Sequence, residues 1–571
     1  METASVDIKQ QTREQLLEDY KLELALLQTD IAQKYILKLA LRYRRINNIP
    51  YYRINKKVID EGVAVLLRLM KHKILAIDSI RNGLVYLKPT RNTELNVEEF
   101  KVDAEKYYPI YDKTPKYYKK DLITHYTGIA EVNKRNRGVL YKLSNIPFRI
   151  TSEFSDYPRV PKKGESSINN NYILETNLMR KAQKEYNNQD IHFAFQFDKR
   201  GRVYCKSYLL TTQSEEWGKA AINLSTKEKV DYIGMLALKK DIAVLYGLDK
   251  ESSIVKLQWF EANKDYILKV ANENILDEKA DKPILFLKAC KAYKEASEGK
   301  PINYMCSIDA TASGIQLASL LSRDKSSARL TNLTSEDKRY DIYTHFANIF
   351  LDKLGRDESK RDLAKARKVL KPCLMTHYYN SVEAVRNKLG GNEQYYNMFL
   401  DIASELCQGP EELLKLFNKT YLDNSDKEYL CWRMPDGFQV VIEQEKDTFY
   451  KVNTPYFSCV FKYQDIGVDI KSNYRKLAPH IIHSIDAWVC REIIRRCDFE
   501  VSPIHDSFYT HPNNIHKVRQ VYQEILQEIN VGKHSNLLEN ILSDIYGYKV
   551  SNPFKDKEPL EDIRNSYYCL S

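Results

Sequence analysis

The sequence predicts an α-rich α/β protein, and three observations carry that prediction. Two long N-terminal stretches repeat their apolar residues at helical spacing. From about residue 172 onward, helical runs alternate with short apolar strands. The chain has 571 residues, more than one core holds, since cores stop growing near roughly 250–300 residues. Two or three packed subdomains are therefore expected.

The N-terminal elements come first. Over residues 12–45, Leu16, Leu17, Tyr20, Leu24, Leu27, Ile31, Tyr35 and Leu39 fall at helical spacing, and the stretch ends in Arg42, Arg44 and Arg45. A second helical stretch is expected over about 56–77, from Lys57 through Val63, Leu66, Leu67 and Met70. Residues 101–150 differ. They are rich in Tyr, Lys and Arg, as in DKTPKYYKK and NKRNRG, and Pro115, Gly128 and Gly138 interrupt them. Such a segment reads either as a basic surface facing nucleic acid or as a solvated, loop-rich face. Residues 151–171 are dense in Pro, Gly, Ser and Asn and form the candidate linker; a helix is expected over 172–189. The expected divisions are a helical and basic N-terminal region over 1–150, a linker and helix over 151–190, and the strongly patterned remainder over 191–571.

The net charge of +11 favours a polyanionic partner without requiring one. The 41 tyrosines, beside many Lys, Asn and Ile residues, reflect AT-rich coding more than chemistry. Ten cysteines fall singly, Cys205, Cys306, Cys373 and Cys459 among them. That pattern indicates reduced, intracellular thiols and argues against structural zinc. The opening METASVDIKQQTREQLLEDY has no apolar core and carries acidic residues, unlike a secretory signal or transit peptide. No segment approaches the ~18–20 apolar residues of a membrane span. A soluble, cytoplasmic protein is the expectation.

Three segments carry chemistry. In Tyr304-Met-Cys-Ser-Ile-Asp309-Ala-Thr-Ala-Ser-Gly-Ile-Gln316, a short apolar strand ends in an aspartate, and small residues then allow a tight turn into a helix. A carboxylate presented there is free to bind a hard cation, although an aspartate capping the next helix is the commoner case. In Val501-Ser-Pro-Ile-His505-Asp506-Ser507-Phe-Tyr-Thr510, His-Asp-Ser stands between two apolar stretches, as at the tip of a β-hairpin. If that hairpin lies beside the Asp309 strand, two carboxylates meet and repel unless cations separate them. Two metals in such a place serve the attacking and leaving oxygens of phosphoryl transfer. The third segment, Arg367 to Ser381, sets Arg367, Lys371, Met375 and Tyr379 at four-residue intervals, a single stripe on a helix. The cations suit a triphosphate and the ring suits base and sugar; a solvated amphipathic helix is the plainer alternative.

Taken in order, these segments resemble the core motifs of the single-subunit RNA polymerases of phages and mitochondria. The resemblance starts at Phe195-Gln-Phe-Asp198-Lys-Arg200-Gly201-Arg202-Val-Tyr204. It includes Asp341-Ile-Tyr343, His483-Ser-Ile-Asp486-Ala487 and the ending Asp562 to Ser571, and spans roughly residues 175–571. It implies a right-hand polymerase fold of palm, fingers and thumb, with 1–150 a reduced N-terminal domain, the 151–190 helix thumb-like and 191–571 the catalytic palm and fingers. It also implies DNA-dependent RNA synthesis from rNTPs on a DNA template, with two Mg²⁺ ions on Asp309 and Asp506. Arg367 and Lys371 resemble the pair that grips the phosphates, and Lys371 the donor to the leaving group. Tyr379 and His483 resemble the residues that check the ribose, and Arg200 and Arg202 resemble contacts to template or hybrid backbone, with a strand-end salt bridge as the alternative. His505 is read as orienting the hairpin, and whether Ser571 reaches the site stays open.

Several positions depart from the family pattern. Asn380 replaces a glycine, and Asn tolerates a left-handed turn. Pro372 follows Lys371, so a kink or restart of the helix is expected there, with the aim of Arg367 in doubt. Ala310 and Thr311 replace a more usual Gly-Ser. Against that family, the short region before residue 190 and the short stretch between Ser381 and Val501 suggest weak promoter recognition and an accessory protein, a second subunit or a single-stranded template, and the compact length suggests a bacteriophage or extrachromosomal source. The nearest rival is a family-A DNA polymerase, but those carry His-Asp-Glu in place of His505-Asp506-Ser507. They also carry a ribose-blocking glutamate at the spacing where Gly314 stands. A non-catalytic nucleic-acid-binding scaffold and a primase-like role are the other readings.

Overall fold

A computed structural model describes the chain apart from residues 1–11, 21–29, 48–53, 82–83, 90–109, 112, 116–121, 123–131, 161–169, 208–209, 335–337, 356–359 and 467–473. It is helix-rich α/β, with small antiparallel sheets set among many helices. Among the described residues, the buried apolar side chains gather in three clusters.

The first cluster joins the N-terminal elements. Thr12 caps the helix Arg13–Asp19 through a capping box, and Ala32–Ile46 packs on Lys56–Lys71. Leu16, Tyr20, Tyr35, Ile36 and Leu39 are buried there; Leu24 and Leu27 lie outside the described residues. The second helix ends sooner than its spacing suggested. It stops at Lys71, Lys73 turns at φ 55°, and Leu75–Arg81 pairs as a strand with Leu84–Pro89. The polar run Lys71-His72-Lys73 has no apolar face to bury, so the helix has no reason to continue.

This N-terminal core is completed from far along the chain. The hairpin Glu445–Asn453/Ser458–Ile466 sends Val452, Phe457, Cys459 and Phe461 into it, and Tyr450 donates to Asp60 at 2.7 Å.

NKRNRG proves to open a helix, Lys134–Ser144, capped by Asn133. Gly138 does not break it. A Cβ there would meet nothing within 4 Å, so this glycine lies on an open face where it costs about 1 kcal/mol relative to Ala. Val139, Leu140 and Leu143 hold the other face in the main core. Residues 151–160 are irregular yet packed: Phe154 is buried and its carbonyl accepts the Trp217 indole N–H at 2.8 Å. The helix expected over 172–189 runs Asn170–Glu185.

At the centre lies Leu477–Arg496, a helix buried over most of its surface. The third cluster unites the helices Ile342–Lys353, Lys360–Tyr378, Val382–Lys388 and Glu393–Leu406. The main core includes one face of a three-stranded antiparallel sheet, with Cys306–Asp309 at one edge and the hairpin Ser502–Ile504/Ser507–Thr510 beside it.

Candidate active site

Strand alternation puts Cys306 and Ile308 into the core, so Ser307 and Asp309 face the other way. The register opposes Asp309 to Ser507, whose hydroxyl donates to the Asp309 carboxylate at 2.5 Å. The Ala310 N–H donates to the Asp506 carbonyl at 3.2 Å, which ties the hairpin tip to the strand end. His505 turns that tip at φ 59°, and Ala312 leads into the helix Ser313–Ser322 at φ 56°. Left-handed non-glycine residues are uncommon and cluster at functional sites.

Asp309 opens onto the site cavity, yet crowding by protein atoms, and then the nearby Asp506, push its carboxyl up to about 6, against the Ser507 hydrogen bond. Among the described residues no lysine or arginine bridges either carboxylate.

The cavity holds about 290 Å³ and is lined by Asp309, Asp506, Lys371, Met375, Tyr379 and Arg202, among others. Three members of the predicted stripe therefore meet both aspartates. The expected restart is absent: Lys360–Tyr378 is one continuous helix through Pro372. Proline removes an N–H donor and crowds the carbonyl four residues back, but packing of Leu370, Cys373 and Leu374 in the third cluster holds the helix on both sides of it.

Arg367 is turned away for a different reason. Its Nε donates to Asp341 at 2.7 Å and to Thr344 at 3.1 Å, and it is not among the cavity-lining residues. Asp341 also caps the helix Ile342–Lys353. Burial would raise the Asp341 pKa, but hydrogen bonds from Arg367 and Thr344 outweigh it and hold the carboxyl below its ordinary value. Lys371 Nζ lies 5.1 Å from the centroid of the Tyr343 ring.

Tyr379 stands edge-on to His483, with centroids 4.8 Å apart. A Cβ on Gly314 would come 3.6 Å from the Tyr379 hydroxyl, so any long side chain there would occupy the space above that ring. Asn380 adopts φ 61° and donates to Asn418 at 2.6 Å, which secures the turn without glycine. His483 is driven down to about 2 by burial, then by Arg202 and Arg200. It is neutral, and its Nδ1 accepts from Arg200 at 2.8 Å.

Arg200 also bridges Asp198 at 2.7 Å, and Arg202 bridges Asp486 at 2.9 Å. Both arginines are therefore tied within the protein, Arg202 in the cavity lining and Arg200 behind it on His483. Gly201 between them has φ 85°, and a Cβ would fall 2.3 Å from Arg491 Nη1; only glycine fits.

The segment after Ile563 answers the open question about Ser571. Its N–H donates to the Asp309 carbonyl at 2.9 Å, and Thr311 donates to the Tyr568 carbonyl at 3.1 Å. The site residues passed over in the sequence are Asp341, Tyr343 and Asp486. Each sat inside a quoted motif without a role, and the readable signal was an aspartate in the apolar run Ile485-Asp486-Ala487-Trp488.

A sequence model of the DNA-dependent RNA polymerase family matches residues 228–393 and 380–564, over half of the chain. The chain belongs to this family, in its single-subunit form. Asp309, Lys371 and Tyr379 fall in the first matched segment of the polymerase family, His483 and Asp506 in the second. Among similar proteins is a probable DNA-directed RNA polymerase of Gelasinospora sp. (strain G114), 23% identical over 70% of this chain and 55% of its own length. One from Neurospora crassa is 24% identical over 81% and 57%. DNA-directed RNA polymerase 2, chloroplastic/mitochondrial, of Arabidopsis thaliana is 22% identical over 68% and 42%. The chain thus spans little more than half the length of the fungal polymerase relatives. Among the described residues no helix is long and apolar enough to cross a membrane.

Proposed function

We propose that this chain is a DNA-directed RNA polymerase, extending an RNA 3′ end with rNTPs on a DNA template. One observation supports this most: Asp309, Asp506, Lys371 and Tyr379, drawn from three distant segments, line one cavity. In the right-hand arrangement of the family, the Asp309 sheet would belong to the palm and the helix Lys360–Tyr378 to the fingers.

The donor set fits magnesium. Two adjacent carboxylates unpaired with protein cations suit an ion that keeps waters and takes its remaining oxygens from substrate phosphates. Among the described residues no group of three His, Cys, Asp or Glu forms a metal cage, and such an ion does not need one. Bound on Asp309 and Asp506, Mg²⁺ would supply charge neutralisation at the triphosphate and a more acidic 3′-hydroxyl.

The remaining roles belong to the chain itself. The 3′-hydroxyl gives its proton to solvent as its oxygen bonds to the α-phosphorus, the bond from that phosphorus to the α–β bridging oxygen breaks, and pyrophosphate leaves. Of the cavity-lining cations, Arg202 is engaged by Asp486, so Lys371 holds the triphosphate and gives its proton to the leaving group. Arg367, engaged by Asp341 and Thr344, braces the helix and would meet phosphate only on leaving Asp341. Tyr379 packs on the sugar, and Gly314 leaves room for the 2′-hydroxyl. Arg200 holds neutral His483 against Tyr379, and backbone phosphates are the ligands both arginines would meet. The similar proteins named above are fungal and plant, and none of them supports the phage source expected from the chain length.

The test is primer extension on an RNA–DNA scaffold with Mg²⁺, offering rNTPs and dNTPs separately. Extension with rNTPs, lost in Asp506→Asn, is expected. Extension with dNTPs alone would make the enzyme a DNA polymerase, and none with either would leave the scaffold reading.

A further inference from the structure

A second group of charges lies outside the cavity, and no step above uses it. Lys256 sits in the first turn of the helix Ser253–Ala262 and is 5% exposed. Among the described residues its ammonium has neither a hydrogen-bond acceptor nor an ion-pair partner. The charged groups that face it are Arg339, Lys240 and Arg519, with Asp249 the carboxylate among them.

The three neighbouring cations come from separate parts of the chain, and each is fixed. Lys240 donates to the Tyr567 hydroxyl at 2.7 Å. Arg519 donates to the Leu570 carbonyl at 2.8 Å, and its guanidinium lies 4.0 Å from the Tyr567 ring centroid. Arg339 donates to the carbonyls of Asp249 and Glu251, the latter at 3.1 Å. Their acceptors are carbonyls and a phenol. None of the four cations has a carboxylate in salt-bridge contact among the described residues.

Three cations acting on a buried ammonium repel it, and the arrangement is stable only if a proton leaves or an anion enters. The field is strong enough to act on neighbours. Although burial opposes it, Arg519 and Lys240 pull the Tyr567 hydroxyl down to about 7.

We infer that this cluster is a binding site for a phosphate oxyanion, with Lys256 as its direct donor and Lys240, Arg339 and Arg519 supplying the field. A multiply charged oxyanion gains more from the summed field of four cations than a singly charged halide does. The site joins residues 249–256 to residues 567–570, and the latter segment brackets the Asp309 strand through Thr311 and Ser571. Occupancy therefore braces the strand that carries Asp309.

The experiment uses the full chain without nucleic acid. Inorganic phosphate is titrated by calorimetry and thermal melting, against chloride at matched ionic strength, into wild type, Lys256→Met and Arg339→Gln. Wild type is expected to bind phosphate and to melt higher with it than with chloride. Lys256→Met is expected to bind roughly tenfold more weakly or worse while melting no lower than wild type in chloride; Arg339→Gln also weakens binding. Equal phosphate binding by wild type and Lys256→Met, or no phosphate-specific effect in wild type, would overturn the assignment. Competition by a short oligonucleotide identifies a nucleic-acid backbone phosphate as the source; phosphate binding without such competition identifies the free anion.

Discussion

Asp436 and Asp486 are both buried, 3% and 7% exposed, and both bridge arginine. Asp436 receives Arg491 at 2.7 Å and Arg495 at 2.9 Å, together with the Phe438 N–H. Burial would raise its pKa, but the two arginines more than reverse that, and its carboxyl titrates below the ordinary range. Among the described residues Asp486 has Arg202 as its one cation partner, and it lies near Asp506. Burial and Asp506 push it up to about 6, and Arg202 does not restore it. The lesson is about compensation. In the structural network each charge is neutralised by the protein. At the cavity a surplus of negative charge is left for something else to neutralise, and that is how a cation and phosphate site differs from a buried ion pair.

The largest expected effect comes from removing that surplus. Asp506→Asn should lower RNA extension by at least roughly 10⁴-fold, in line with loss of a metal-bearing carboxylate, while the protein stays folded by circular dichroism. The same variant should let the Asp486 carboxyl titrate nearer to 3.8, as followed by NMR; an unmoved value would break the comparison. Asp436→Ala should instead act on stability. It strands the fully buried Arg491 guanidinium, which costs about 3–5 kcal/mol, read by urea unfolding.

Lys371→Ala should slow single-turnover incorporation by roughly 10²-fold, the range of a general acid, and a mild effect would mean that another group protonates pyrophosphate. Tyr379→Phe should remain active and lose about tenfold in rNTP over dNTP preference, the worth of roughly one hydrogen bond. Unchanged sugar selectivity in competition assays would remove Tyr379 from the ribose check.

The smallest effect is a pH dependence of the metal-free protein, and the two aspartates give it opposite signs. Asp486 titrates higher folded than unfolded, so its contribution is present below about 3.8 and is lost as pH rises through about 6. Asp436 titrates lower folded, so its contribution is present above about 3.8 and is lost as pH falls through its depressed value. Asp486→Asn should flatten the first slope in denaturation profiles, and Asp436→Asn the second.

Much of the site was legible because it is built from short local patterns. A strand ending at Asp309, a hairpin tip at His505-Asp506 and a four-residue stripe are each written within a dozen residues, and strand alternation and helical periodicity dictate which side chains share a face. Asn380 could also be read, since its conformational tolerance belongs to the residue itself. Pro372 could be read only in part, for the converse reason: propensity argued for a kink or restart, and the flanking apolar residues pack so that the helix continues through it.

By itself, then, the sequence determined the α-rich α/β class and the elements that carry Asp309, Asp506, Lys371 and Tyr379. Only the tertiary structure decided which charges are spent on one another. Arg202 meets a carboxylate 284 residues away, and Arg367 meets one on a neighbouring helix. It also decided that the hairpin at 445–466 closes the N-terminal core and that Ser571 comes to lie on the Asp309 strand. Periodicity tells which face of an element is apolar, but not which surface that face meets. An ion pair depends on separation in space, which is set only once every element has packed.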